Sequence, residues 1–197
     1  MSRAAAAQAR PRVGISSCLL GERVRWDGTH RRQEGLLREL GPRVEWLPVC
    51  PELELGLGVP REPIHLVDSG TGLQLLGRAS GREHGQALEH WARERLACLF
   101  EQGLCGYVLK SRSPSCGLRG VPVLGADGRS RALSRGRFAA LLLQRFPGLP
   151  VAEEEELSRP AARERWLAEV LAYQQARSGR GPEEGPSPDR RRCPPAS

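Results

Sequence analysis

No apolar run in this sequence approaches the roughly 20 residues that a helix needs to cross a bilayer, so no membrane-spanning helix is expected. The first twelve residues are rich in alanine and arginine and lack the long apolar centre of a secretory signal. The expected location is cytoplasmic. Aromatic residues are also scarce, with two tyrosines and three phenylalanines in 197 residues, whereas a surface that reads single-stranded nucleic acid needs rings on which bases can stack. The formal charge of +7 does not rescue that reading, because most of it lies near the termini. Residues 1–12 hold three arginines and no acid, residues 176–197 hold five arginines against three acids, and the span between them is left with +2. Nucleic acid is therefore disfavoured as a partner.

Lysine is nearly absent. Lys110 is the one lysine among 30 basic residues, so a composition that otherwise chose arginine kept an ammonium at a single place, and the two cations differ in geometry and in ease of deprotonation. Cys-x-x-Cys pairs are missing altogether, which excludes the zinc ribbon and the thioredoxin-type couple. A reducing compartment argues against a disulfide framework for the six cysteines.

Three of the six share one context. Val13 to Cys18, Val44 to Cys50 and Gly106 to Lys110 with the following Ser113-Pro114-Ser115-Cys116-Gly117 are apolar runs of strand length that lead into a cysteine. Cys98 falls in a helical pattern and Cys105 at a strand start, where free cysteine behaves as a small buried apolar residue. Cys193 lies in a Pro/Arg-rich tail with no expected role.

Along the chain, a first strand over Arg12 to Ser17 is followed by a long polar loop, Glu22 to Arg32, which offers Arg25, Trp26, Asp27 and His30 to a ligand. A helix over Gln33 to Leu40 and a strand over Arg43 to Val49 come next. Ile64 to Val67 and Leu73 to Leu76 flank a Gly-rich turn and read as a hairpin outside the main pattern. A helix from about Glu83 to Gln102 leads to the strand at Gly106 to Lys110, and Val121 to Leu124 suggests a further short strand. Ser134 is expected to cap a helix through Phe146. Leu149 to Ala152 and Leu157 to Tyr173 close the pattern as a strand and a helix.

Strands alternating with helices predict an α/β fold, a mainly parallel sheet with helices on both faces. The expected organisation is one domain over residues 13–175, with a small hairpin excursion, and disordered tails at 1–12 and 176–197. In such sheets ligands bind outside the carboxyl ends of the strands, where Cys18, Cys50 and Cys116 converge. Soft thiolates select zinc, copper(I) or iron-sulfur. A structural zinc site needs a fourth ligand, for which His30, His65 or Glu52 are candidates, whereas a 4Fe-4S cluster on three cysteines leaves one iron open. Three unrelated buried cysteines are the bland alternative.

Ile15-Ser16-Ser17-Cys18-Leu19-Leu20-Gly21 with Arg25-Trp26-Asp27-Gly28, Val49-Cys50-Pro51-Glu52 with Pro60-Arg61, and Leu109-Lys110-Ser111-Arg112-Ser113-Pro114-Ser115-Cys116-Gly117 are three ordered motifs. Together they resemble the family of domain of unknown function 523, whose characterised members are 2-thiouracil desulfidases. The resemblance covers roughly Val13 to Tyr173. It implies an oxygen-sensitive 4Fe-4S cluster on Cys18, Cys50 and Cys116, and a small-molecule thiolated base as partner. The implied reaction is non-redox: an iron takes the sulfur, water replaces it at carbon and sulfide leaves. Glu52 is implied as the acid/base that activates the water and Ser113 as a substrate contact. Arg25, Asp27, Lys110 and Ser115 complete the expected substrate-binding set. A non-catalytic iron-sulfur or zinc protein in sulfur handling is the alternative function.

Overall fold

The computed structural model describes residues 9–178 apart from residue 126. In chain order the first elements are β1 (Arg12–Ser16), a 3-10 turn (Ser17–Leu19), α1 (Glu34–Leu40), β2 (Glu45–Val49) and α2 (Pro51–Glu54). The hairpin strands β3 (Ile64–Asp68) and β4 (Leu73–Gly77) follow, then α3 (Gly85–Glu101), β5 (Leu104–Leu109), β6 (Val121–Leu124) and β7 (Ser130–Ser134). The chain ends in α4 (Arg137–Arg145), β8 (Val151–Glu153), a second 3-10 turn (Glu156–Ser158) and α5 (Pro160–Ser178). Among the described residues no helix is long and apolar enough to cross a membrane.

One sheet is wholly parallel, in the order β2-β1-β5-β8. Its two faces are covered separately, as the alternation of side chains along a strand requires. Leu47 and Val49 of β2 with Tyr107 and Leu109 of β5 pack against Leu88, Ala92 and Leu96 of α3 and Phe138 and Leu142 of α4. Val13 and Ile15 of β1 with Val108 of β5 pack against Leu36 and Leu40 of α1 and Trp166, Leu167 and Val170 of α5. Every residue of β5 is buried, as befits a strand with neighbours on both sides and helices on both faces. Gly14 makes this packing possible: a Cβ there would lie 2.3 Å from two atoms of the Tyr107 ring.

The hairpin lies outside the parallel sheet, as expected, but it does not stand alone. β3 and β4 form half of a second four-stranded sheet, β4-β3-β6-β7, because β6 pairs in parallel with β3 across more than fifty residues of chain. Leu66, Leu75, Val121 and Val123 of this sheet share the core beneath α3 and α4. Ser134 does not cap a helix; it ends β7, and α4 begins after Gly136 with no side-chain cap. The first amide groups of α4 are satisfied by tertiary contacts instead, since Arg137 N donates to Pro114 O at 3.0 Å and Phe138 N to Ser115 O at 3.0 Å. Gly136 allows this approach, as a Cβ there would meet Ser115 O at 2.5 Å.

The ordered elements reach slightly past the expected boundaries. Arg12, in β1, donates to Glu45 and to Gln102 O. Arg177, in α5, donates to Leu104 O and lies 4.8 Å from the Phe100 ring centroid. Otherwise the expected tails, residues 1–8 and 179–197 with Cys193, lie outside the described residues.

Candidate active site

From β1 the chain crosses first to β2 on one side and later to β5 on the other, so the crossover direction reverses at β1. The crevice outside the carboxyl ends of β1 and its neighbours is the position where sheets of this kind bind ligands. Cys18 sits in the 3-10 turn that follows β1. Cys50 follows β2 as the residue before α2, with Pro51 at the first helical position, where its missing N–H costs nothing. Cys116 lies in the loop after β5 and packs in the core under α3 and α4, whereas Cys18 packs in the opposite core.

The loop Lys110 to Gly117 is shaped by its own hydroxyl groups. Ser113 Oγ accepts from Ser115 N at 3.2 Å and Cys116 N at 3.1 Å, and Ser113 O accepts from Gly117 N at 2.8 Å. Arg112 adopts a φ of 57°, a left-handed conformation that bulky residues rarely take, and reverses the chain just past the strand. Lys110 N donates to Ser16 Oγ at 3.0 Å, which ties the end of β5 to the end of β1.

These segments enclose a cleft of about 430 Å³. Cys18 and Cys116 are buried and Cys50 is half-buried. Burial, with the neighbouring Cys50 thiol second, pushes Cys18 up to about 12. Burial likewise raises Cys50, against an opposing amide hydrogen bond from Leu53. Cys116 is raised well above the ordinary thiol value by burial, opposed by a hydrogen bond from the Ser16 side chain and reinforced by the Cys50 and Cys18 thiols. Three such groups do not ionise together unless positive charge enters among them, which is what a bound metal centre provides. Among the described residues no three His, Cys, Asp or Glu side chains draw close enough to share a single metal ion. All three thiols nevertheless line the one cleft.

Glu52 lines the same cleft. Its Oε2 accepts from Arg61 Nε at 2.9 Å and Arg61 Nη2 at 2.7 Å, and its Oε1 accepts from Ser115 Oγ at 3.0 Å. The Arg61 side chain is only 5% exposed and also donates to Gly58 O and Val24 O. The carboxylate is thereby fixed in orientation by a two-pronged guanidinium contact.

Of the expected residues, Cys18, Cys50, Cys116 and Glu52 line the cleft, and so do Ser113, Arg25 and Lys110. Asp27 and Ser115 do not. Asp27 accepts from Thr29 N and Oγ1, which hold its carboxyl below the ordinary range, and lies 3.5 Å from Arg25 Nε. Ser115 is fully buried and reaches the site through Glu52. His30 and His65, weighed as fourth ligands to zinc, are not part of the lining. Cys98 and Cys105 are buried apart from the cleft.

Sequence reasoning assigned no role to Arg61, although Pro60-Arg61 belongs to the second motif. An arginine nine residues after a candidate base was the available signal; its burial against that base was not. Glu154 carried no sequence signal beyond membership of the acidic run 153–156.

The model of the 2-thiouracil desulfurase family matches residues 13–154 of this chain. The uncharacterized protein YbbK of Bacillus subtilis (strain 168) is 34% identical over 150 residues, which are 73% of this chain and 96% of that protein. A solved structure described as a 4Fe-4S-dependent thiouracil desulfidase TudS superposes with a TM-score of 0.62 at 30% identity, covering 82% of this chain and 99% of its own.

Proposed function

The chain belongs to the 2-thiouracil desulfurase family, and we propose that it hydrolyses the carbon-sulfur double bond of a 2-thiouracil-like thiolated pyrimidine. Water adds at the thiocarbonyl carbon, sulfur departs as hydrogen sulfide and a carbonyl remains, so one water is consumed and no electrons are exchanged. The observation that carries this reading is the meeting of Cys18, Cys50, Cys116 and Glu52 at one cleft. A 4Fe-4S cluster on those three cysteines would supply an iron free of protein ligands as a Lewis acid for the departing sulfur.

Glu52 is the base in this proposal. Its Oε2 is taken up by the Arg61 guanidinium, and among the described residues its Oε1 is engaged by the Ser115 hydroxyl alone. A second lone pair on that oxygen is available to take a proton from water. Ser113 Oγ already accepts two amide hydrogen bonds, so its own proton is free to be donated to a substrate oxygen or ring nitrogen. Arg25 lines the cleft, with its Nε donating to Thr29 Oγ1.

Anaerobic purification, with iron, sulfide and zinc measured on the sample later given 2-thiouracil, tests the proposal. About four irons per chain, release of sulfide with uracil, and loss of both on changing Cys18, Cys50 or Cys116 to serine are expected, with Cys105→Ser unaffected. Stoichiometric zinc without iron after reconstitution would overturn the cofactor, and a fully loaded protein that releases no sulfide would overturn the reaction.

A further inference from the structure

Lys110 and Glu154 make contacts that the proposed chemistry does not use. The Lys110 ammonium donates to Ser111 O at 3.1 Å, to Ser111 Oγ at 3.0 Å and to Glu154 Oε1. Those are all three of its protons, so none is left for a substrate oxygen or a cluster sulfide. Glu154 is 5% exposed and straddles the next residue, since its Oε2 accepts from Ser111 N at 2.7 Å while its Oε1 accepts from Ser111 Oγ at 2.9 Å. The chain is thus gripped at the point where β5 ends, one residue before Arg112 reverses its direction.

The neighbouring carboxylates hold the same loop elsewhere. Glu153 Oε1 accepts from Leu118 N at 2.8 Å, Glu155 pairs with Arg112, and Glu156 pairs with Arg119 at 2.8 Å. Four consecutive glutamates therefore hold the loop at both ends, and Cys116 lies between. The two outer pairs are largely exposed and contribute little. The buried contacts of Glu153 and Glu154 carry the restraint.

We propose that Lys110 and Glu154 are positioning residues, a buried ionic staple that holds the Ser-Pro-Ser-Cys loop so that Cys116 faces the cleft before any cluster is bound. This explains the solitary lysine. An ammonium is a point donor that can serve three convergent acceptors, two of them on the adjacent residue, whereas the donors of a guanidinium diverge in a plane. Arginine stands at the other 29 Lys/Arg positions, and its diverging donors match these acceptors less well.

The inference rests on Cys116 being a cluster ligand, but its test begins without cluster. In the apoprotein, alkylation of individual cysteines is followed by mass spectrometry in wild type, Lys110→Arg, Glu154→Gln and the double variant Lys110→Met/Glu154→Leu. Loosening the staple raises local opening, so Cys116 is expected to react about tenfold faster in both single variants while Cys18 and Cys50 keep their wild-type rates. The double variant removes both buried charges together and is expected to react no faster than the worse single variant. On loaded protein, iron loss to a chelator is expected to accelerate in the same order, and the KM for 2-thiouracil is expected to stay at the wild-type value in whatever fraction remains loaded. Unchanged Cys116 reactivity would overturn the staple, as would uniform acceleration of all three thiols or a raised KM with iron retention intact. A wild type that takes no cluster would defeat the proposed function, while the alkylation series still decides this inference.

Discussion

Glu52→Gln is the substitution that separates catalysis from structure with least disturbance. The wild-type carboxylate receives two hydrogen bonds from Arg61, at 2.9 and 2.7 Å, and one from Ser115 at 3.0 Å. Glutamine keeps a carbonyl oxygen for Arg61 and turns its amide towards Ser115, whose hydroxyl can rotate to accept. What is lost is the negative charge beside a guanidinium that is 5% exposed. Removing one partner of a buried ion pair costs about 3 to 5 kcal/mol. The low end is expected, because Arg61 keeps the carbonyls of Gly58 and Val24 and the hydrogen bonds to residue 52 persist. A domain stable by about 5 to 15 kcal/mol survives that loss.

Turnover responds differently. Loss of a general base typically lowers the rate about 10²- to 10⁴-fold, which is about 2.7 to 5.5 kcal/mol on the barrier. The assay is single-turnover release of sulfide from 2-thiouracil under anaerobic conditions, with iron content and absorption spectrum recorded on the same sample. The expected result is an unchanged cluster, a slow chemical step and substrate binding close to wild type. Wild-type turnover with the cluster intact would remove Glu52 from the mechanism. A spectrum altered before substrate is added would show that Glu52 ligates the cluster.

Two predictions concern the scaffold. Gly14→Ala puts a methyl group 2.3 Å from the Tyr107 ring, which packs edge-on to Phe138 at 5.8 Å and has no room to withdraw; a loss of about 1 to 3 kcal/mol or more is expected in urea denaturation, and an unchanged midpoint would refute the packing argument. The Ser80 hydroxyl, with the Ser80 and Ala79 amides, lowers the Glu62 carboxyl from 4.5 to about 2. Because the folded value is the lower one, the stabilisation is complete above pH 4.5 and is lost as the pH falls towards 2. Glu62→Gln is therefore expected to flatten the acid limb of the Tm profile within that window, and a limb parallel to wild type would refute the assignment.

Much of the architecture is legible because its signals are local. Apolar runs of strand length end in Cys18 and Cys50, Pro51 opens α2, and Gly103 after α3 adopts a φ of 74°. Each feature depends on backbone preferences within a few residues, so the alternation of strands and helices, and with it the meeting of three cysteines at the strand ends, follows from the chain alone. The second sheet was not legible, since the parallel pairing of β3 with β6 joins segments that no periodicity relates. The helix at α4 misled for the same reason: Ser134 satisfies the capping pattern, but the amides that need partners find the carbonyls of Pro114 and Ser115.

The site divides along the same line. Composition singled out Lys110, and the second motif contained Glu52 and Arg61, yet their states depend on partners brought by the fold. Arg61 reaches Glu52 after an irregular segment, Ser115 arrives from 63 residues away, and Glu154 reaches Lys110 across 44. Which thiols, carboxylates and cations are available, and that the strands deliver the cysteines to one edge, can be read along the chain. The tertiary structure alone decided which of those charges are buried together, because the burial and pairing of a side chain are set by segments distant in the chain and leave no mark in its immediate neighbours.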